Sequence, residues 1–293
     1  MFNAKTPPAT TMLNMLTKFI SYILNALLLM LCVSSVHADS TTKKDKPKWE
    51  LGVGIGVISI PHYRGSDQRE DYVAPIPYIR YNGKRLKVDK EGGRFYFYNG
   101  EDVKVDISTA FAFPVDSDDN RARQGMTDLD PVIELGPRVQ FNLYQSDDEN
   151  LRFRFAVPLR AAIATDLSHT ESIGWVFSPY LQVRYFSGVE TSISIGPLWA
   201  TEKYHDYFYE VAPQYATASR PVYNAKAGYS GSRMTLTMSK RFERIWVGLF
   251  ARYDNLNNAT FIDSPLIRQN DSLMVGLAVS WVFKESKQRS QFD

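Results

Sequence analysis

Leu151-Arg152-Phe153-Arg154-Phe155-Ala156-Val157-Pro158-Leu159-Arg160 decides the fold. Every odd residue is apolar, and the even ones are Arg, Ala or Pro. An extended chain turns successive side chains to opposite faces, so this is a strand with one oily face and one charged or small face. A helix needs apolar residues three and four apart, and they are missing. The same rhythm runs through Val103, Val105, Ile107, Thr109, Phe111 and Phe113, and through Ile133, Leu135, Val139, Phe141 and Leu143. Each run has about ten residues or more, the length that crosses a bilayer when a strand is tilted.

Period-2 patterning admits two architectures. A soluble sandwich buries its apolar face in a dry core and turns polar residues outward. A membrane barrel does the reverse. The polar face here has to accommodate Glu134, Arg138, Arg152, Arg154, Arg160 and Arg184, which fits a barrel lumen better than a core. Aromatic content agrees: 17 Tyr, 17 Phe and 5 Trp are enough to build girdles at two interfaces. A mean hydropathy of -0.28 does not oppose this, because a barrel strand shows lipid one face only.

The connections alternate in length. Asn82-Gly83, Asn99-Gly100, residues 145–150, Ser187-Gly188 and residues 241–243 are short, and the dipeptides suit tight hairpins. Residues 61–71, 114–131, 164–173, 201–228 and 254–271 are long. Short periplasmic turns with long outer loops are the pattern of outer-membrane barrels. The pattern predicts an all-β, transmembrane, antiparallel up-and-down β-barrel of about 12 strands, or ten if 84–91 and 94–98 are not strands. The last strand runs from Ser272 to Phe283, and Trp281 and Phe283 are the barrel-end aromatics expected to be read during assembly.

The flanks are read separately. Lys18 precedes an apolar run from Phe19 to Val33, and Val36-His37-Ala38 supplies a cleavage pattern, so residues 1–38 are expected to be a signal peptide. Residues 39–48 would be a polar periplasmic leader, 49–283 the barrel and 284–293 a tail. Cys32 is the one cysteine and would leave with the signal, removing thiolate chemistry. Removing Lys5 and Lys18 with it leaves 32 basic residues against 32 acidic, a balance with no electrostatic case for nucleic acid.

Candidate chemistry is sparse. His62, His169 and His205 all fall in outer loops, where histidines are ordinarily solvated; a rim hydrolase built on His205-Asp206 or Ser168-His169 is a minor alternative. Asp116, Asp118, Asp119, Asp128 and Asp130 lack the spacing of a calcium loop and read as a solvated loop. No phosphate loop, dinucleotide fingerprint or zinc spacing is present, so no catalytic residue, cofactor or metal is expected. The inward arginines either line a narrow anion pore or pair with Glu134, Glu190 and Asp106 and plug the lumen. Tyr204, Tyr207, Phe208 and Tyr209 in the 201–228 loop suit contact with a partner, a glycan or lipid, or else a lid over the mouth.

Four segments carry a resemblance. They are Pro61-His62-Tyr63-Arg64-Gly65-Ser66-Asp67 with Pro75-Ile76-Pro77 and Tyr81; Asp116–Asp119 leading through Gly125–Asp130 to Glu134-Leu135-Gly136; Arg220–Gly228; and Asp263-Ser264-Pro265-Leu266. In order and spacing they resemble the MipA/OmpV family, the MltA-interacting proteins of Gram-negative outer membranes. The residues after Phe283 and those around 82–99 depart from it. The resemblance implies a non-enzymatic scaffold linking a lytic murein transglycosylase to a murein synthase of the penicillin-binding kind, with lipid and lipopolysaccharide around it. Porin-like and adhesin roles are also discussed for the family.

Overall fold

The structure is a computed structural model and describes residues 47–89 and 92–290. The expected signal peptide and nearly all of the expected leader lie outside the described residues.

One antiparallel sheet closes on itself. Its strands are β1 (Trp49–Pro61), β2 (Arg69–Asn82), β3 (Leu86–Asp89), β4 (Gly92–Asn99), β5 (Val103–Ala112), β6 (Val132–Gln145) and β7 (Leu151–Thr165). They continue with β8 (Thr170–Phe177), β9 (Tyr180–Phe186), β10 (Glu190–Ala200), β11 (Gly228–Phe242), β12 (Ile245–Asn255) and β13 (Asp271–Glu285). Ten ladder pairs between β1 and β13, from Glu50↔Glu285 to Ser59↔Val275, close the ring. β8 and β9 both lie between β7 and β10, one above the other, and form one stave broken at Ser178-Pro179. The barrel therefore has twelve staves. Pro179 supplies no N–H for a ladder, so the break falls where the chain cannot pair.

The outward face is oil. Ile55 is 62% exposed, Val73 72% and Phe97 65%, far more apolar surface than water tolerates on one belt. Trp281 and Phe283 also point outward, their rings 5.9 Å apart. The inward face of the same strands is polar: Asp106, Gln140, Arg154 and Arg160 are all buried. This inversion identifies a membrane-spanning barrel. Among the described residues no helix is long and apolar enough to cross a membrane.

Three details depart from the sequence reading. The 164–173 connection is a four-residue hairpin, because β7 runs to Thr165 and β8 starts at Thr170. Asp166 makes the tight turn by accepting the N–H groups of Ser168 and His169. The 201–228 loop contains a helix, α1 (Glu202–Tyr209). The strands at 82–99 exist but are short: β3 meets β2 only at Tyr81 and Asn82, and β4 meets β5 only from Asn99↔Lys104 to Tyr96↔Asp106.

At the short-turn end the described chain ends interlock. Lys48 N–H donates to Gln288 O at 2.9 Å, Asn82 N–H donates to Lys48 O at 2.8 Å, and Ser290 Oγ donates to Asn82 O at 3.1 Å. The segment after Phe283 thus continues β13 and then folds along the first strand.

Candidate functional site: the loop cap and the charged lumen

The long loops fold together at the other end. Tyr63, Val115, Leu129, Tyr204, Phe208, Tyr209, Val211, Leu256, Phe261 and Leu266 form a common apolar core. Each loop is a poor folder alone, and the shared core is what offsets their ordering entropy. Tyr209 stacks on Phe261 at 3.8 Å with rings nearly parallel, and His205 packs edge-on to the same ring at 4.8 Å.

Polar bonds tie the four motif segments into this cap. Tyr63 Oη donates to Leu266 O at 2.7 Å; burial pushes that hydroxyl up to about 12, so it stays a donor at neutral pH. Gly65 O accepts from the N–H groups of Arg268 and Gln269, and Gly65 itself sits at φ +92, a region that favours glycine. Asn120 Nδ2 donates to Ser66 Oγ at 3.1 Å. Arg220 donates to the carbonyls of Ala122, Gln124 and Tyr215, while Arg123 donates to Phe208 O. Ser264 Oγ donates to Tyr209 O at 2.7 Å. Segments up to two hundred residues apart in sequence therefore converge on one structure.

The residues expected to contact a partner are placed by this core. Tyr204, Phe208 and Tyr209 are buried in the cap, and Tyr207 is half-buried with its hydroxyl on Asp130 O at 3.3 Å. Of the two expectations for these aromatics, contact surface or lid, the packing matches the second: in α1, Tyr204, Phe208 and Tyr209 share the face turned inward. Tyr207 alone of the four stays partly open, on the wall of a cleft.

The histidines correct a second expectation. His169 is exposed, but His205 is fully buried. One ring nitrogen lies 2.6 Å from Lys226 O and the other 3.0 Å from Ser230 Oγ. Burial, then the Arg64 guanidinium, outweigh the Lys226 carbonyl and hold its pKa down to about 4, so the ring is neutral. His205 and Asp206 do not face one another; the Asp206 carboxylate accepts Ala225 N–H at 3.0 Å. The His205–Ser230 contact has the spacing of a base and nucleophile, but both residues are fully buried, Ser230 at the start of β11, and neither cavity described below reaches them. His62 is also largely buried, with Nδ1 3.1 Å from Asn120 Nδ2.

The acidic loop is used to fold itself. Asp116, Asp118 and Asp128 accept the N–H groups of Asp118, Gly125 and Ser117. Among the described residues no three His, Cys, Asp or Glu side chains group as metal ligands. Beside this loop a cleft of about 430 Å³ lies between Asp128, Glu171, Asp206, Tyr207, Glu210 and Tyr215. Partial burial raises the pKa of both Asp206 and Glu210.

Beneath the cap the lumen is crossed by ion pairs. Arg160 Nε donates to Glu134 at 2.8 Å, and Tyr204 Oη in the cap donates to the same carboxylate at 3.0 Å. Arg138 grips Asp106 with two bonds, 2.9 and 2.6 Å. Arg184 pairs with Glu190, and Arg154 donates to Asn142 at 3.0 Å. Arg152 stands on the same lumen face of β7. Asp254 is shared by Arg233 at 2.7 Å and by Arg64 and Arg252 at 3.5 Å each. Five of these guanidiniums, those of Arg64, Arg138, Arg160, Arg233 and Arg252, thus surround three carboxylates. A cavity of about 200 Å³ is left among Arg138, Arg160 and Arg233.

Comparison with known proteins follows the same lines. MltA-interacting proteins of Escherichia coli (strain K12) and Shigella flexneri are each 26% identical over 245 residues, covering 80% of this chain and 90% of the relative. Among solved structures, a Pseudomonas aeruginosa FadL homologue is 9% identical, covering 82% of this chain and 91% of that one, with a TM-score of 0.32. The Pseudomonas aeruginosa outer membrane protein OprG is 8% identical over 82% of this chain and 95% of that one, at 0.22. Superposition at that level is loose, and the fold stands on its own ladders. The family described as MltA-interacting protein MipA matches residues 53–283, nearly the whole barrel and its cap, and the chain belongs to that family.

Proposed function

We propose that this protein is a non-enzymatic scaffold in the outer membrane of a Gram-negative cell, exported by its N-terminal signal. It docks a lytic murein transglycosylase, and with it a penicillin-binding protein, at the short-turn end of the barrel. The observation that carries this reading is the cap. The family motifs are spent on building the cap over the long-loop end, which leaves the interlocked ends and tight turns at the opposite rim as the face for partners. The relatives are named for an interaction with such an enzyme, which supports the partner class. Lipid and lipopolysaccharide surround the belt because its outward side chains are apolar.

The test is a pull-down. Detergent-purified barrel is immobilised and envelope extract passed over it. The reading expects retention of a lytic transglycosylase and a penicillin-binding protein above an unrelated barrel. It also expects loss of both when the 145–150 and 241–243 turns are exchanged for neutral ones. A column no richer than the control contradicts it. The Arg-lined cavity favours a second reading, a narrow anion channel, which requires the cap to open.

A further inference from the structure

Among the described residues the barrel wall has a gap at the depth of the hydrocarbon. Asn82 N–H donates to Lys48 O, so the even residues of β2 bond to β1 and the odd ones turn their main chain the other way. Those odd residues are Val73, Pro75, Pro77 and Ile79. β3 reaches only Tyr81 and Asn82, so no described strand pairs with them. By the same alternation, set by Asn142 N–H on Asp102 O, Ile107, Thr109 and Phe111 of β5 face the gap, and β4 stops at Asp106. About 20 Å of strand is unpaired along β5, at about 3.3 Å per residue. The two edges next meet at the outer rim, where Tyr72 stacks on Phe113 at 5.0 Å.

Depth follows from register. Val73, Pro75, Pro77 and Ile79 oppose Val57, Ile55, Val53 and Leu51, the apolar belt of β1. An open sheet edge is costly against hydrocarbon, because its main-chain groups find no water there. Pro75 and Pro77 remove two N–H groups from the β2 edge, which lowers that cost. They equally deny a partner strand two of its bonds, which argues against strand addition as the gap's use.

Behind the gap lies the lumen cavity. Ser108, Thr109 and Ala110 on the free edge of β5 form one of its walls, and Arg138, Arg160 and Arg233 form another. Each of these lining guanidiniums holds one carboxylate, Asp106, Glu134 or Asp254, and the surplus positive charge comes from Arg64 and Arg252, which share Asp254 with Arg233.

We propose that the gap between β2 and β5 is a lateral binding site for an anionic amphipath. An acyl chain lies between the two edges, and a phosphate or carboxylate head reaches the arginines in the lumen. The small side chains Ala74, Ser108 and Ala110 leave the passage clear. The cap packs over the long-loop end, and the gap borders the cavity along Ser108, Thr109 and Ala110.

The experiment uses the full chain in nanodiscs and three diazirine-tagged probes: a fatty acid, a lysophosphatidate and a zwitterionic lysophosphatidylcholine. Labelled peptides are mapped by mass spectrometry. The proposal expects at least tenfold more label on 73–80 and 107–113 than on the belt of β11 and β12, from an anionic probe only. Labelling by the fatty acid alone, or by the lysophosphatidate alone, supports the site and names its head group. Ala110→Trp should cut the label about tenfold while the barrel keeps its heat-resistant mobility on a gel. If that variant does not fold, the wild-type pattern decides. Label spread evenly round the belt, equal label from the zwitterion, or a folded Ala110→Trp that labels like wild type overturns the proposal.

Discussion

Replacing Phe261 by Ala should open the cap and spare the barrel. The ring is fully buried, stacked on Tyr209 at 3.8 Å and on the edge of His205 at 4.8 Å, with the Arg64 guanidinium 6.0 Å from its centre. Deleting a buried Phe costs about 3–5 kcal/mol, the larger part when the cavity cannot collapse. Here Arg64, His205 and the ladder beneath are held by hydrogen bonds, so collapse is restricted. Each 1.4 kcal/mol is a factor of ten, so the open cap should become at least a hundredfold more populated. Hydrogen exchange reads this directly. The N–H groups of Val211, Tyr223, Leu256 and Ala259, all bonded inside the cap, should exchange at least a hundredfold faster. Those of the β1–β13 ladder should be unchanged. Equal acceleration of both sets would show that cap and barrel unfold as one unit and refute the reasoning, as would no change in either.

Lowering pH should loosen the same cap. His205 titrates near 4 when folded against an ordinary value of 6.5, so its contribution is whole above about 6.5 and is lost as pH falls towards 4. The loss is about 3 kcal/mol, and protease sensitivity of residues 201–228 should rise across that window in wild type but not in His205→Gln. Glu134→Gln leaves Arg160 buried without its charge partner and should destabilise the barrel by about 3 kcal/mol in urea titrations followed by gel mobility. Replacing both with Leu and Met should restore most of that loss. Gly231→Ala should cost at least about 2 kcal/mol in the same assay, because φ is +96 and a Cβ would stand 2.4 Å from Asn255 O.

The barrel was legible in the sequence because lipid and lumen impose opposite demands on alternate residues. The run Leu151–Arg160 alone separates the two faces, and the Asn-Gly turns mark the strand ends. The cap was less legible. Tyr204, His205, Phe208 and Tyr209 look exposed in a loop rich in polar residues, and their burial depends on Phe261 and Leu256, fifty residues further on. A helical spacing of 204, 205, 208 and 209 was the available signal. The charge pairs were half visible: Arg138 faces Asp106 directly and Arg160 lies one diagonal step from Glu134 on the neighbouring strand, but Arg64 reaching Asp254 from a loop has no such mark. The gap between β2 and β5 had a local mark in Pro75 and Pro77, whose meaning needed the pairing of β3 and β4.

The proposed function has a closed outer mouth and a barrel that works through its other rim. Single-molecule conductance in planar bilayers tests it most directly. With the cap intact the account predicts no current steps above those of protein-free membrane, at neutral pH and at either polarity. Stable, ohmic, anion-selective steps from the wild-type barrel would contradict it and make the arginine-lined lumen a pore.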